Sequence, residues 1–471
     1  MRHGWRNRLR AARRIRIGIG GSPGGKTSRR QSTCGGPEAT QRSRRGAPRL
    51  RWYDSVIARP RTIALATIEY PPDPLSAGIG SYVRTLARFL RDAGHQVHVV
   101  ARAYAPAREE EDEQGITVHR VGPVRPDLPA GFEGVRTISF ALRAAMGEWR
   151  YRRDVARTLE RLVDHEGVEL IEAADHLAEP IFYRSTRRPQ VPFVVRLHTP
   201  LAFTEMLDPH LPGYARRVVG AIERAFIVRA SHVSAPTRTA ATAIRGVMRL
   251  DNVPVHVHAN PVRFPERRPE PSTEPGDDAP ERPTVLFVGR VCRLKGVHLL
   301  ARALPDIVER VPDVRFDLVG SDHVPMDGHP DTRSWLLARL PERYHDHLRF
   351  HGHVPPGELG AIYRGATVCA FPSLFESFSY VCLEAMIHGK PVVGSSRGGM
   401  AELLDGGRAG VLVDPTEVDA LAEAISGLLL DPERRRTLGD RARRRALESY
   451  GPDRVLRDIE AFYERAIDEL A

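Results

Sequence analysis

Short apolar runs of strand length alternate along this chain with stretches whose apolar residues recur at helical spacing, and the alternation begins near residue 61. Arg61–Thr67 (RTIALAT) predicts a buried strand, followed by a loop of Pro, Asp and Ser, Ala77-Gly78-Ile79-Gly80, and an amphipathic helix over Ser81–Ala93 that Gly94-His95 ends. Gln96–Ala101 predicts the next strand, which completes a βαβ unit. Further strands are predicted at Leu170–Ala174, Pro192–Leu197, His232–Ala235 and Val255–His258, with a long helix over Val135–Val163. A second series runs Thr284–Val288, Val314–Gly320, Leu348–His353, Thr367–Phe371, Pro391–Gly394 and Gly410–Asp414. Its helices start at Val297 and span Tyr380–Ile387, Val418–Leu430 and Asp453–Leu470. Apolar runs without strict alternation belong to strands covered on both faces, as in parallel sheets flanked by helices.

Between the two series, Arg263–Pro283 (RFPERRPEPSTEPGDDAPERP) is rich in Pro and acids and poor in apolar residues, as a linker is. The expected organisation is α/β: a basic leader over 1–60, a first Rossmann-like domain over 61–264, a linker over 265–283 and a second over 284–452. The last helix, 453–471, is expected to pack back toward the first domain.

Charge changes the picture at one end. The chain carries a formal net charge of +11, but residues 1–61 hold 17 Lys and Arg against Glu38 and Asp54, so the remainder is slightly acidic. That places the basicity in an Arg-, Gly- and Ser-rich leader expected to be disordered, and argues against a nucleic-acid-binding body. The leader contains a formal phosphate-loop match, Gly20-x4-Gly25-Lys26-Thr27, yet neither a buried strand before it nor a helix after it. No run of about 18 apolar residues occurs, so no transmembrane helix is expected. The four cysteines (Cys34, Cys292, Cys369, Cys382) are scattered without metal-like spacing, which fits a reducing, cytoplasmic location. The arginines on the 135–163 helix, Arg150, Arg153 and Arg157 among them, are open to docking at the inner face of a membrane or on an acidic acceptor.

The candidate chemistry lies where strands turn into helices, because such turns face the ligand crevice of a parallel sheet. Gly78-x-Gly80 is not a dinucleotide fingerprint: Val83 stands at the third glycine position, and Arg102 follows the next strand where an acid is wanted. Two glycines ahead of a helix still let a ligand approach the backbone closely. His198 ends a predicted strand, within reach of a substrate hydroxyl. The His256/His258 and His351/His353 pairs lack an acidic or Cys partner nearby in sequence, and no Asp-x-Asp occurs, so no metal site is expected. Gly289-Arg290-x4-Lys295-Gly296 puts two cations on a strand-to-helix loop, a metal-free way to neutralise a diphosphate. Glu376 and Glu384 straddle the next such helix start. Carboxylates accept two hydroxyl donors at once, so the pair suits a ligand that carries both diphosphate and diols.

Taken together, Gly289-Arg290-x4-Lys295-Gly296, Phe371-Pro372-Ser373-x2-Phe375-Glu376-x7-Glu384-Ala385-Met386-x2-Gly389-x-Pro391-Val392-Val393 and Gly398-Gly399 closely resemble the retaining glycosyltransferases of family 4. The resemblance covers about residues 61–471 and implies the GT-B fold, two Rossmann-like parallel-sheet domains facing across a cleft. It implies transfer of a sugar from a nucleotide-diphosphate sugar, UDP- ahead of GDP- or ADP-, to a glycan, lipid-linked or small-molecule acceptor, with retention and without a metal or other cofactor. In that reading Arg290 and Lys295 hold the diphosphate, with Gly289 beside them. Glu384 binds the ribose, Glu376 the donor sugar and Val354 lies by the base, while the amides of Phe378, Ser379 and Tyr380 line sugar and phosphate. Gly78 and Gly80 close on the diphosphate, and His198 meets the sugar near the reacting carbon. One departure, Ser379-Tyr380 where many members have Gly followed by Leu, falls at the sugar pocket. The other readings are a nucleotide-sugar epimerase or other enzyme on the same fold, and a non-catalytic nucleotide-sugar binding protein.

Overall fold

A computed structural model describes residues 59–71, 78–103, 110–122, 136–184, 189–264, 282–322 and 326–470. The expected leader (apart from Arg59 and Pro60), its phosphate-loop match and residues 265–281 of the expected linker lie outside the described residues.

The first half of the described chain runs β1 (Thr62–Thr67), α1 (Gly78–Asp92), β2 (Gln96–Arg102), β3 (Glu110–Glu113), β4 (Ile116–Val121), α2 (Arg136–His165) and β5 (Leu170–Ala174). It continues through β6 (Phe193–Arg196), α3 (Leu201–Leu207), α4 (Gly213–Val228), β7 (His232–Ala235), α5 (Arg238–Met248) and β8 (His256–Val257). These strands form one sheet in the order β3-β4-β2-β1-β5-β6-β7-β8, parallel throughout except for the antiparallel β3–β4 edge pair. The second half runs β9 (Thr284–Val288), α6 (Val297–Arg310), β10 (Arg315–Val319), α7 (Thr332–Arg339), β11 (Leu348–Gly352), α8 (Pro356–Arg364) and β12 (Val368–Phe371). Then follow α9 (Tyr380–Ile387), β13 (Val392–Ser395), α10 (Met400–Leu403), β14 (Val411–Val413), α11 (Val418–Leu430), α12 (Pro432–Tyr450) and α13 (Pro452–Asp468). Its sheet is all parallel, in the order β11-β10-β9-β12-β13-β14.

Local chemistry sets many of the boundaries. The Thr237 hydroxyl accepts from the Ala240 amide at 3.1 Å to cap α5, and the Asp431 carboxylate caps α12 from 2.8 Å ahead of Pro432. Gly94 and Gly389 take positive φ just past α1 and α9, a conformation that costs any side chain. The hairpin β3–β4 and the helices α3, α4, α5, α7, α8 and α12 are additions to the elements predicted from pattern alone.

Each sheet has one switch point, where strand order reverses direction: β1/β5 in the first and β9/β12 in the second. Ligands of open parallel sheets bind outside the carboxyl ends of the strands there. The last helix, α13, leaves the second half and buries Val455, Leu456, Ile459, Phe462, Tyr463 and Ala466 in one core with Ile63, Tyr82 and Leu86 of the first. Of these, Val455, Leu456, Ile459 and Phe462 each contribute about 1.5–3 kcal/mol of burial. Polar bonds fix the register of that helix: Arg61 binds Glu464 at 2.5 Å and Tyr463 donates to Glu172 at 2.9 Å. Among the described residues, no helix is long and apolar enough to cross a membrane.

Candidate active site

The loop after β9 is shaped by glycines. Gly289 (φ 140°) and Gly296 (φ 76°) have positive φ, and a Cβ on Gly296 would collide with the carbonyl oxygen of Pro372 in the loop after β12. The two loops are sewn together by Leu374 N–H donating to Leu294 O at 2.9 Å, and the first is pinned to the end of β10 by Val291 N–H to Ser321 O at 2.8 Å. Within this frame the ammonium of Lys295 forms an ion pair with Glu376, whose carboxylate also accepts from the Ser373 hydroxyl at 3.1 Å. Arg290 is exposed and has no ion-pair partner among the described residues. Its charge acts on the His176 imidazole across the cleft.

Glu376 is held from behind. It bridges to Gly398 in parallel register, Gly399 N–H donates to its carbonyl at 2.6 Å, and a Cβ at either glycine would strike the Glu376–Ser377 backbone. Ser379 is the N-cap of α9: its hydroxyl accepts from the Cys382 amide at 3.4 Å and is buried. The departure at this position therefore puts a capping oxygen, not a bulky group, at the helix start. A helix N-terminus leaves its first amides without intrahelical partners, so those of Tyr380 and Val381 are free to meet an anion.

The remaining second-half candidates divide. Glu384, inside α9, accepts from the Tyr363 hydroxyl at 2.9 Å; burial raises its carboxyl above the ordinary range, with that hydrogen bond acting against the rise. The Phe378 ring is buried against Tyr380 and Tyr450, so only its backbone can reach a ligand. Tyr380 is wedged between the two halves, packing on both of their cores. Val354 is half-buried against the core of the second half, past the Gly352 carbonyl that accepts from Gly320 N–H at 2.7 Å.

Across the cleft, Gly78 and Gly80 differ from expectation in one respect. They are not in a loop ahead of the helix but in the first turn of α1, because helix geometry already begins at Gly78. No acidic residue stands in that turn, so its amides present an uncompensated positive end. His198 follows β6 with 8% exposure, packs edge-on against Tyr82 of α1 at 4.5 Å between ring centres, and among the described residues leaves its buried Nε2 without a hydrogen-bond partner. Burial, with Arg196 and His176 adding to it, pushes the imidazole well below its usual range, so it is neutral near pH 7.

Pattern reading missed the residues that set His198. Asp175, after β5, accepts from the His198 backbone N–H at 3.0 Å and is completely buried, which raises its carboxyl to about 8. Glu223, buried on α4, accepts the amides of Leu177, Leu201 and Ala202 at 3.0, 2.8 and 3.0 Å and so ties together the loops after β5 and β6. A lone acid on an otherwise apolar and basic helix was the only available signal. Beneath them Arg196, fully buried, donates to Asn260 Oδ1 at 2.7 Å and to the His258 carbonyl at 2.8 Å. His258 of the alternating pair is thus a structural partner, and His351 pairs with Asp317 at 3.3 Å, an acid distant in sequence. The halves meet through Thr237 Oγ1 donating to Ser377 O at 3.0 Å, Thr239 to Glu402 at 2.8 Å, and Phe203 edge-on to Phe375 at 4.6 Å.

Two parallel-sheet halves, one with charged, glycine-shaped loops at its switch point and the other facing it with buried polar groups, have the plan of a GT-B scaffold. Residues 77–261 match the family model "Glycosyl transferase 4-like domain" and residues 282–431 match "Glycosyl transferases group 1". The chain is a glycosyltransferase with the two domains of the GT-B fold.

Among its relatives, D-inositol 3-phosphate glycosyltransferase of Kribbella flavida is 28% identical over 443 residues, covering 89% of this chain and 98% of that protein. Spore coat protein SA of Bacillus subtilis is 35% identical over 185 residues, 38% of this chain and 48% of that protein. Of solved structures, sucrose-phosphate synthase from Thermosynechococcus elongatus superposes with a TM-score of 0.67 at 22% identity, over 87% of this chain and all of that one. Anabaena HepE in complex with UDP-glucose gives 0.59 at 18% identity, over 86% and 99%.

Proposed function

We propose that this chain moves a hexosyl group from a nucleoside-diphosphate sugar, UDP- first among them, to an acceptor hydroxyl with retention of configuration and without a metal. One observation carries the reading. The loop bearing Arg290 and Lys295 and the loop bearing Glu376 are locked together at the β9/β12 switch point, opposite the unpartnered Nε2 of His198. The UDP-glucose bound to the HepE fold relative supports the choice of nucleotide.

As the bond from the anomeric carbon to the phosphate oxygen breaks, negative charge grows on the leaving diphosphate and positive charge on the sugar. Arg290, without an ion-pair partner among the described residues, and Lys295, which exchanges part of its pairing with Glu376 for the phosphate, stabilise the first. Glu376, released in the same exchange, accepts sugar hydroxyls, and Glu384 does so for the ribose. The acceptor oxygen bonds the anomeric carbon on the face the phosphate leaves, and its proton passes to the departing phosphate oxygen. Neutral His198 positions the sugar without placing a competing cation beside the developing positive charge.

The test is a panel of UDP-, GDP- and ADP-sugars scored by ligand-induced rise in melting temperature and by slow donor hydrolysis. A response confined to one nucleotide is the expected result. Silence across all three rules the reading out.

A further inference from the structure

Nine large apolar side chains among the described residues stand out into solvent, and seven of them lie on one connected stretch of the first domain. Four are on α4: Tyr214, Val218, Ile222 and Val228, between 40% and 74% exposed. Their spacing puts them on a single face, opposite the buried Glu223, Phe226 and Ile227. Met206, 55% exposed, extends the face onto α3. At the other end Arg229 of the α4 C-cap donates to the Ile181 carbonyl at 3.5 Å, which brings in the exposed Phe182, and Phe182 packs edge-on against the exposed Trp149 of α2 at 6.1 Å.

The exposed polar residues of α4 itself have one sign. The solvent-facing positions of α4 and its cap are Gly, Tyr, Val, Ala, Ile and Arg, with Arg217, Arg224 and Arg229 along the edges and no exposed acid. Arg184 and Arg153 continue the border, the latter stacked 5.1 Å over the Trp149 ring. A second copy of the chain packed α4 to α4 would set the arginines of that helix against themselves with no carboxylate on the helix face to answer them. An anionic bilayer supplies both halves of the complement: acyl chains for the apolar stripe and phosphate headgroups for the arginines, with Trp and Tyr at the boundary.

We infer that α4, with the Met206 and Phe182–Trp149 flanks, is the face by which this protein lies on an anionic lipid surface. It is separate from the donor site yet rigidly coupled to the cleft, because Glu223 on the inner side of α4 holds the loops that carry His176 and His198. Docking through α4 brings the first-domain edge of the cleft to the headgroups, where an acceptor anchored in the bilayer can enter.

The experiment is co-sedimentation of the full-length chain with phosphatidylcholine vesicles with and without phosphatidylglycerol. It is repeated for Val218→Asp/Ile222→Asp and for Arg217→Glu. The expected result is binding that requires phosphatidylglycerol and weakens with salt, at least a tenfold loss of affinity in the double aspartate variant, and a smaller loss in Arg217→Glu. Brominated lipid should quench the fluorescence component lost in Trp149→Phe, which a basic leader acting alone would not produce. Wild-type vesicle affinity in Val218→Asp/Ile222→Asp would overturn the assignment. A sedimentation mass that falls in that variant would overturn it in favour of a subunit interface. Vesicle binding and donor hydrolysis are read separately, so failure of either leaves the other standing.

Discussion

The two walls of the cleft are built on opposite electrostatic plans. The second-domain wall is charged and partly wet: an exposed Arg290, and Lys295 ion-paired with Glu376, on loops that glycines allow to touch. The first-domain wall is dry and close to neutral at the same depth. His198 is depressed by burial, the Asp175 carboxyl is lifted to about 8, and the contacts are to backbone amides. A wall that must bind and stabilise a dianionic leaving group needs fixed cations. A wall that must orient a sugar next to a developing positive charge needs neutral polar atoms whose positions are rigid.

Removing charge from one wall and from the other should therefore have different signatures. The largest effect is expected for Arg290→Ala: a fall in turnover of about a hundredfold or more with little change in melting temperature, since the side chain is exposed. Turnover within a fewfold of the parent would break the comparison. Gly296→Ala tests the loop geometry beneath the charges. The positive φ and the Pro372 carbonyl together should cost on the order of 3 kcal/mol, seen as a lowered denaturation midpoint.

Ser379→Ala removes a cap and should cost about 1 kcal/mol, whereas Ser379→Gly should cost only a few tenths. Equal losses in the two would show that the hydroxyl serves the ligand instead.

On the neutral wall the expected effect is confined to the pH dependence of stability. The Asp175 carboxyl has a folded pKa of about 8 against an ordinary 3.8, so the folded chain holds the proton more tightly. Its contribution to stability is fully present below about pH 4 and is lost as pH rises through about 8. Asp175→Asn should therefore flatten the decline in melting temperature between roughly pH 4 and 8. His198 works in the other direction: its imidazole is depressed, so the unfolded chain takes the proton first and stability falls as pH drops through its ordinary 6.5. A decline in Asp175→Asn as steep as in the parent would show Asp175 to be ionised in place.

The walls also differ in how far they could be read beforehand. Gly289, Arg290, Lys295 and Gly296 fall within eight consecutive residues after a recognisable strand, and the helix Tyr380–Ile387 has the bounds its pattern predicts. Glycine placement and cation spacing encode backbone geometry locally. On the opposite wall only the glycines and His198 could be singled out. Asp175 and Glu223 act on amides 23 and 22 residues away from themselves through a fold that no local pattern describes. The structure begins α1 at Gly78, three residues before the pattern predicts, because glycines read as loop whereas Gly80 is buried inside the first turn.

By itself, then, the sequence determined that this is a chain of two parallel-sheet halves, and where the charged loops of the second half fall, because apolar periodicity and glycine spacing are properties of neighbouring residues. Tertiary structure alone decided that Lys295 neutralises Glu376 across 81 positions, that Thr237 clasps Ser377 across 140, and that α13 returns to the first core. Those outcomes depend on which strand lies beside which. Strand order is set by competition among buried surfaces over the whole molecule, and no window of sequence contains it.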